Sequence, residues 1–547
     1  MMEPGIAGAL SRRRVLGLAG ATAGLLGAGP LLAACAPPRR ADAAGPGPVA
    51  RGADVPVERL RLALPSSLSS LDVGRESGVL NYTVACLAQE SLLSVSPSGE
   101  LGPGLATSWH QPDPKTYVYR LRQGVRFADG TPFTPDDVLA SIEEIRDPGN
   151  GNALAYAFAG VRDVRVTGAH EVTIRLKAPD GSFAWNTSPG GLLVSSRAFL
   201  RRNRGRIGTA KTLLLGTGPY RVTEFAADDH VSLERNPHWW GTPPALKRLD
   251  LSFVPDAGTR LVAMRSGAID GALQLAPDEA RTWESSAEVT YTGDRSVVAL
   301  AFDTKKAPFD DPHVRRALAH ATDREGMVTG LLHGRAEVAS ALPSRDMWGS
   351  LMSPREVRSA YADIDLPGYD LEAARAELAK SSVPHGFTAE LHYPASGPQV
   401  GKAALALAGA LKKIGVTLKV KEITLEQWVN ELGSGRQALQ FLWYFPVTGD
   451  PAELADAYIN AAAVATDIAH YDKPAVNRAL DRAKADTDAG TRGKDLMKAI
   501  TTAAPDLPYL PLWWAQTATA LSAAHVLLEP GPFGFIGPWA TRVRAAA

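Results

Sequence analysis

The sequence is short of the features that mark several protein classes. It has only two cysteines, Cys35 and Cys86, in 547 residues, so disulfide bonds are not its main source of stability. Lys and Arg together number 58, as do Asp and Glu, and this zero net charge leaves no basic surplus for binding nucleic acid. After residue 34, no apolar run is long enough to span a bilayer. Cys86 lies in an apolar stretch and is predicted to be a small buried side chain.

The sequence also lacks the short motifs of common catalytic and metal sites. It contains no G-x-S-x-G, H-E-x-x-H or C-x-x-C motif and no phosphate-binding loop. Its 11 histidines are scattered, and no two of them stand four residues apart, as two metal ligands on one helix face would. We therefore expect no catalysis, no metal site and no cofactor. An exported hydrolase with a triad assembled from distant residues is the alternative that motif searching leaves open.

Two signals near the start of the chain predict export. Residues 11–16 read SRRRVL, and Arg12 and Arg13 fit a twin-arginine export signal, although an ordinary basic leader is also compatible with them. Residues 32–35 read LAAC, a lipoprotein cleavage box. We predict a signal peptide at 1–34 and a mature chain anchored by lipid on Cys35 to the outer face of the cell membrane, periplasmic or at the cell surface. A simple membrane anchor formed by residues 15–34 is the alternative, but this segment is rich in Gly and interrupted by Pro30.

The rest of the chain is predicted to be a large α/β protein. Removing 34 residues from 547 leaves 513, too many for one core, so two or three domains are expected. Residues 35–57 have no periodicity and are predicted to be a flexible tether. A strand around Leu391, a helix ended by Gly415 and a strand from Val416 form a βαβ pattern, which predicts a parallel strand pair.

Two helices are predicted in more detail. Thr134 and Asp137 are spaced as a capping box at the start of a helix, with Pro135 at its first position. A second helix is predicted to start at Asp311 and to continue as far as Leu332, because apolar residues recur there at helical spacing.

Several longer motifs carry a family resemblance. They are LGPGLATSW at 101–109, RQGVRF at 122–127, DGTPFT at 129–134, GTGPY at 216–220, ERNPHWWG at 234–241, MRSGAID at 264–270 and FDTKKAPF at 302–309. From about residue 60 to its end, the chain resembles the extracellular solute-binding proteins of family 5, the peptide- and nickel-type receptors of ATP-binding-cassette (ABC) importers. Most of these motif residues set turns or pack in the core, so they indicate the fold rather than the ligand.

The resemblance implies an architecture and a role. It implies a two-lobed periplasmic-binding-protein fold of type II, with a hinge between the lobes and an extra inserted subdomain. Lobe one would comprise 58–82, 210–298 and 514–547, the insert 83–209, and lobe two 299–513. A monomer is expected, which would close on an oligopeptide or a similar small oligomeric solute and present it to the permease of an ABC importer. A receptor for another solute, such as an oligosaccharide or a metal chelate, and an adhesion or signalling lipoprotein are the alternatives.

The segment 442–451, LWYFPVTGDP, departs from the pattern of similar peptide receptors. There, an Asp three residues after a Trp meets the amino terminus of the peptide. Here Pro446 stands three residues after Trp443 and Val447 three after Tyr444, and neither can pair with an ammonium group. A blocked peptide, a modified oligomer, a sugar or a metallophore would fit a less acidic pocket.

Seven residues are candidate ligand contacts, although each aromatic residue among them could equally be a core residue. They are Trp428, Trp443, Tyr444, Thr448, Asp450, Trp513 and Trp514.

Overall fold

A computed structural model describes residues 52–53, 55–432, 434–464 and 466–547. Arg12, Arg13, Cys35 and the predicted signal peptide lie outside the described residues. The strands are β1 (Gly52–Ala53), β2 (Val57–Leu64), β3 (Leu93–Val95), β4 (Leu101–Pro103), β5 (Ala106–Asp113), β6 (Thr116–Leu121), β7 (Val161–Gly168), β8 (Glu171–Leu176), β9 (Tyr220–Ala226), β10 (His230–Arg235), β11 (Leu246–Phe253), β12 (Gly271–Leu275), β13 (Glu288–Phe302), β14 (Ala336–Val338), β15 (Thr388–Pro394), β16 (Thr417–Ile423), β17 (Leu439–Tyr444), β18 (Tyr509–Leu521), β19 (His525–Leu527) and β20 (Val543–Ala546).

The same part of the chain forms α-helices of very different length. They are α1 (Val79–Ala88), α2 (Pro135–Arg146), α3 (Arg197–Arg202), α4 (Ala257–Arg265), α5 (Pro277–Trp283), α6 (Pro312–Ala321), α7 (Arg324–Gly326), α8 (Pro354–Ala362), α9 (Leu371–Ala379), α10 (Pro398–Lys412), α11 (Leu425–Glu431), α12 (Ala452–Tyr458), α13 (Pro474–Ala485) and α14 (Ala489–Ala503). Within the described ranges, no helix has the length and apolar character needed to cross a membrane.

A nine-stranded mixed sheet organises the fold. Its strands lie in the order β17-β13-β18-β12-β2-β11-β10-β9, and β14 pairs with the same strand, β18, as β12 does. The two longest strands, β13 and β18, are antiparallel over most of their length. On its other edge β18 pairs with β14 through residues 513–515 and with β12 through residues 518–521. The β13–β18 ladder therefore continues from one half of the sheet into the other.

This ladder is interrupted near its middle. The register of β13 against β18 shifts between Gly293 and Val297, and Arg295 adopts a left-handed backbone conformation with φ of 63°. A non-glycine residue at positive φ is strained and has to be held there by its surroundings. We call residues 293–297 the hinge bulge.

The apolar cores divide close to this bulge. One core takes its residues from 57–273 and 521–543, and it includes the segment predicted as an insert together with the sheet of lobe one. Two further cores, one on each face of the ladder, take theirs from 297–514. The described residues nevertheless form a single compact unit, and the boundaries of the two lobes stay a prediction.

Local features follow the sequence closely. Thr134 and Asp137 form the expected capping box of α2, because the Asp137 carboxylate accepts hydrogen bonds from the backbone and side chain of Thr134. β15 and β16 pair in parallel, with α10 between them, as the βαβ pattern predicts. Cys86 is buried and free.

Two segments differ from expectation. The helix predicted from Asp311 to Leu332 ends at Ala321, because Thr322 is extended and the side chain of Asp323 accepts a hydrogen bond from Gly326 to start a new turn. Residues 52–53 of the predicted tether pair with Ala545 and Ala546 at the end of the chain.

Candidate ligand-binding site

The 445–451 loop joins β17 to α12 and contains the segment in which the sequence departs from its relatives. Glu453, in the first turn of α12, holds this loop through hydrogen bonds. Its carboxylate accepts hydrogen bonds from the Tyr444 hydroxyl at 2.8 Å, the Val447 amide at 3.0 Å, and the Thr448 amide and hydroxyl at 2.8 and 2.5 Å. A carboxylate offers about four lone-pair positions, so these four donors use the acceptor capacity of Glu453.

Asp450 is also fully engaged. Arg492 on α14 donates two hydrogen bonds to its carboxylate, at 2.6 and 2.7 Å, and both side chains are 3% exposed. The same carboxylate accepts the amide of Ala452 at the start of α12. Asp450 therefore holds the loop to α12 and α14, and it presents no free oxygen to a solute in this structure. Its role as a ligand contact stays a prediction.

The predicted aromatic residues divide between the two faces of the sheet. Val298 of β13 stands between Trp443 and Trp513, and Val297 stands between Tyr444 and Trp514. Because side chains alternate along a strand, each of these rows lies on its own face. Trp513 is 2% exposed and packs in the same core as Trp428, with Trp443 partly buried against that core.

Trp514 belongs to the opposite core. It is 4% exposed, stacks on Tyr361, and donates its ring N–H to the carbonyls of Ala341 and Leu342. Of the seven predicted contacts, only Trp443, Tyr444 and Thr448 combine partial exposure with a position at or beside the 445–451 loop.

The loop approaches the N-terminal half of the chain at glycines. A Cβ atom added to Gly190 would lie 2.5 Å from the carbonyl oxygen of Val447, and one added to Gly449 would lie 2.6 Å from the ring of Trp185 and 3.0 Å from that of Phe533. Such contacts need the absence of a side chain, since real Cβ atoms do not come so close to other atoms. They bring the loop directly against the backbone at Gly190 and against a small separate cluster that Trp185 and Phe533 form with Val95.

A small cavity of about 50 Å³, continuous with open solvent, lies beside these contacts. Phe445 of the loop forms one wall, and α1, β12, β13, β18 and the segment after β19 form the others. Its lining residues are Val79, Gln274, Thr292, Gly293, Asp294, Phe445, Thr517, Gly531, Pro532, Phe535 and Ile536. Aromatic and aliphatic walls with a few polar groups are typical of sites for small solutes.

Two charged residues of the hinge bulge stand next to each other at this cavity, and sequence reasoning missed both. Arg295 is 1% exposed, donates hydrogen bonds to the carbonyls of Pro532 at 3.0 Å and Thr448 at 3.3 Å, and lies 3.4 Å above the ring of Phe533. Burial lowers the pKa of Arg295 to about 10. Asp294, the residue before Arg295, lines the cavity, and burial raises the pKa of the Asp294 carboxyl.

A sequence signal for these two residues exists. The apolar run of β13 is broken by Gly293, Asp294, Arg295 and Ser296, four residues that do not suit the interior of a buried strand. A charged interruption of this kind at the centre of a long strand indicates either a bulge or a functional position.

Comparison with known proteins identifies the family. The model for "Bacterial extracellular solute-binding proteins, family 5 Middle" matches residues 100–465, which is 366 of 547 residues. The probable D,D-dipeptide-binding periplasmic protein DdpA of Escherichia coli is 25% identical over 490 residues, covering 87% of this chain and 92% of that protein. The probable di/tripeptide-binding protein 5 of Pseudomonas aeruginosa is 26% identical over 518 residues, covering 87% and 96%.

Solved structures show the same fold. The periplasmic binding protein DppA of Helicobacter pylori, in complex with the peptide STSA, superimposes with a TM-score of 0.77 at 21% identity, covering 90% of this chain and 99% of that one. NikZ of Campylobacter jejuni, in complex with Ni(L-His), gives a TM-score of 0.74 at 20% identity, covering 90% and 99%. The chain belongs to the bacterial extracellular solute-binding proteins of family 5, non-catalytic receptors of ABC importers.

Proposed function

We propose that the protein is a receptor outside the cytoplasm that binds a short oligopeptide between two lobes and delivers it to the permease of an ABC importer. The names of its relatives support this solute class, since DdpA is described as a D,D-dipeptide-binding protein and the Pseudomonas protein as a di/tripeptide-binding protein. Lipid on Cys35 would hold the receptor at the membrane, as the LAAC sequence predicts.

The observation that carries the proposal is the cavity between the two sets of cores. Phe445, on the segment that continues the second set, forms one wall of this space, and Val79 and Phe535, which pack against the first core, form part of the others. A solute held there would contact both halves at once. Closure is favoured only by a solute that makes more contacts in the closed form than in the open one, and this position provides them.

A metal chelate or a peptide with a blocked amine is the second candidate. It is favoured by one observation on the 445–451 loop: neither Pro446 nor Val447, the two positions that could match the acid of similar receptors, carries a charge, and the nearby Asp450 is paired with Arg492. NikZ shows that the fold also accommodates a metal complex, since it was solved with Ni(L-His).

Mass spectrometry of the solutes released when the purified mature protein is denatured tests the solute class. We expect short peptides, at an occupancy that falls when the protein is first dialysed against denaturant and refolded. Recovery of metal complexes or sugars in place of peptides would establish the second candidate or another solute.

Trp443→Ala tests the position of the site. Trp443 is half-buried beside the loop, so its loss should weaken binding of the recovered solute about tenfold or more and reduce the change in tryptophan fluorescence on binding. Trp240→Ala is the matched control, because Trp240 is exposed and its indole contacts Arg122 and Glu90, far in sequence from the 445–451 loop. Unchanged affinity and fluorescence in Trp443→Ala would contradict the assignment.

Cys35→Ser tests the anchor. The variant should lose incorporation of labelled fatty acid and leave the membrane fraction, while the purified protein binds solute as before. Retention of the variant in the membrane fraction would contradict the lipoprotein prediction.

A further inference from the structure

The acids at the 445–451 loop are occupied by protein donors, and Asp450 is buried against Arg492. Val447 is apolar, Asp450 is held by Arg492 and the Ala452 amide, and Glu453 accepts four hydrogen bonds. An ammonium group that lost its water here would find no free carboxylate oxygen on this loop. A desolvated cation without a partner costs several kcal/mol, so an amine is not bound on this side of the cavity.

Asp294 in the hinge bulge differs from these acids in its hydrogen bonds. Its Oδ1 accepts hydrogen bonds from the amide and hydroxyl of Ser296, at 2.9 and 2.6 Å. Its Oδ2 makes no hydrogen bond and no ion pair with any of the described residues, although the residue lines the cavity. Asp294 therefore combines a fixed orientation with one oxygen available to a solute.

More acidic than basic groups act on the bulge, although the buried Nη2 of Arg295 has no hydrogen-bond partner among the described residues. Arg295 is the basic group closest to Asp294 in sequence, and its guanidinium is turned to the carbonyls of Pro532 and Thr448 and to the ring of Phe533. Three acids act on Arg295 electrostatically, namely Asp294, Asp346 and Glu453. Burial raises the pKa of the Asp294 carboxyl, while the hydrogen bonds from Ser296 and the charge of Arg295 act against this rise and Asp346 adds a little to it.

The remaining walls of the cavity suit a primary amine. Gln274, Thr292 and Thr517 supply polar atoms, and Phe445 and Phe535 supply aromatic surface. An ammonium group has three donors, of which Asp294 can accept one with full charge assistance while an amide or hydroxyl oxygen accepts another.

We propose that Asp294 anchors the free amino group of the bound peptide, and that it replaces, from the hinge bulge, the acid that the 445–451 loop lacks. This inference rests on the proposed function and specifies its solute as a peptide with a free amine. Ser296 and the register shift position the carboxylate, and Arg295 on the same bulge fixes the loop that faces it.

Two peptide pools and native mass spectrometry test the proposal. A defined pool of synthetic tripeptides and tetrapeptides is compared with the same pool after N-acetylation. We expect the wild-type protein to bind members of the free pool and to bind their acetylated forms at least about tenfold more weakly, since charge-assisted hydrogen bonds are the strong ones. Asp294→Asn should lose about the same factor for the free pool and show no preference between the pools.

Two further variants separate charge from structure. Asp346→Asn removes a neighbouring acid that does not line the cavity, and we expect its affinity for the free pool to change less than about threefold. Asp294→Asn/Val447→Asp puts an acid back on the loop, and we expect it to regain preference for free amines. Thermal unfolding of each variant checks whether a loss of binding comes from unfolding. We expect Asp294→Asn to stay folded, because Asn keeps the Oδ1 acceptor that Ser296 uses.

The outcomes distinguish the two proposals. Equal binding of both pools by the wild-type protein, or full affinity in Asp294→Asn, overturns the role of Asp294 and leaves the peptide receptor in place. Failure of the wild-type protein to bind either pool overturns the peptide receptor, and the role of Asp294 with it.

Discussion

The 445–451 loop and the hinge bulge reach the same cavity and treat their charged side chains in opposite ways. The carboxylates that support the loop are held by several protein donors, three to Asp450 and four to Glu453. Among the described residues, one oxygen of Asp294 in the bulge has no hydrogen-bond partner, and neither has the buried Nη2 of Arg295. Satisfied charges give a loop a fixed shape, whereas unsatisfied ones leave interaction energy for a ligand.

Arg492→Met should produce the largest effect on stability, because it breaks the buried ion pair that holds the 445–451 loop. It leaves the Asp450 carboxylate buried without its cation, so we expect the free energy of unfolding in urea to fall by about 3–5 kcal/mol. Arg482→Met is the control, since its pair with Asp495 is half exposed and should contribute less than about 1 kcal/mol. Equal losses in the two variants would mean that the buried pair does not stabilise the loop.

The pH dependence of stability gives a smaller effect on the same scaffold. Burial raises the pKa of Asp456, close to Arg492 and Lys484, to about 6 from an ordinary 3.8. Between these values the folded state binds more protons than the unfolded state, so the free energy of unfolding falls as the pH rises from about 4 to about 6.

Asp456→Asn should remove part of this decline. We expect the variant to equal the wild type near pH 4 and to exceed it by about 1–3 kcal/mol at pH 7, in urea titrations at both values. A variant that is less stable than the wild type at pH 7 would show that the charged form of Asp456 is stabilising.

The smallest effect comes from a matched pair of hydroxyl deletions. Thr448→Val and Ser296→Ala each remove one hydroxyl that donates to a carboxylate, that of Glu453 or that of Asp294. We expect Thr448→Val to lower the free energy of unfolding by about 1–2 kcal/mol and to weaken peptide binding less than Ser296→Ala does. Ser296→Ala should cost less than about 1 kcal/mol but weaken peptide binding a few-fold, because Asp294 is then less firmly oriented. The reverse pattern in denaturation and binding measurements would contradict the division of roles.

The predictable parts of the fold are those that depend on neighbours in sequence. The capping box of Thr134 and Asp137 and the βαβ unit around α10 can be predicted from residue spacing. Both a capping box and the apolar face of a helix are set by residues a few positions apart in sequence. The prediction that the helix reaches Leu332 was wrong for a local reason as well. Asp323 caps a new turn, so the chain leaves the helix although the apolar periodicity continues.

The site was harder to predict because its partners are distant in sequence. Asp450 could be picked out from the segment 442–451, but the residue that engages it, Arg492, is 42 positions away on another helix. Asp294 breaks a strand in a way the sequence displays, yet the face to which it points depends on a register shift that only the assembled sheet reveals.

The position of Asp294 on a strand common to both halves has a kinetic consequence. When two bodies swing apart, the atoms nearest the pivot travel least, and β13 runs from one half of the sheet into the other without a break in the chain. In the proposed two-lobed receptor, Asp294 would lie at the pivot and stay near its final place while the lobes are open. An arriving peptide would thus be caught by one end first, and only afterwards enclosed.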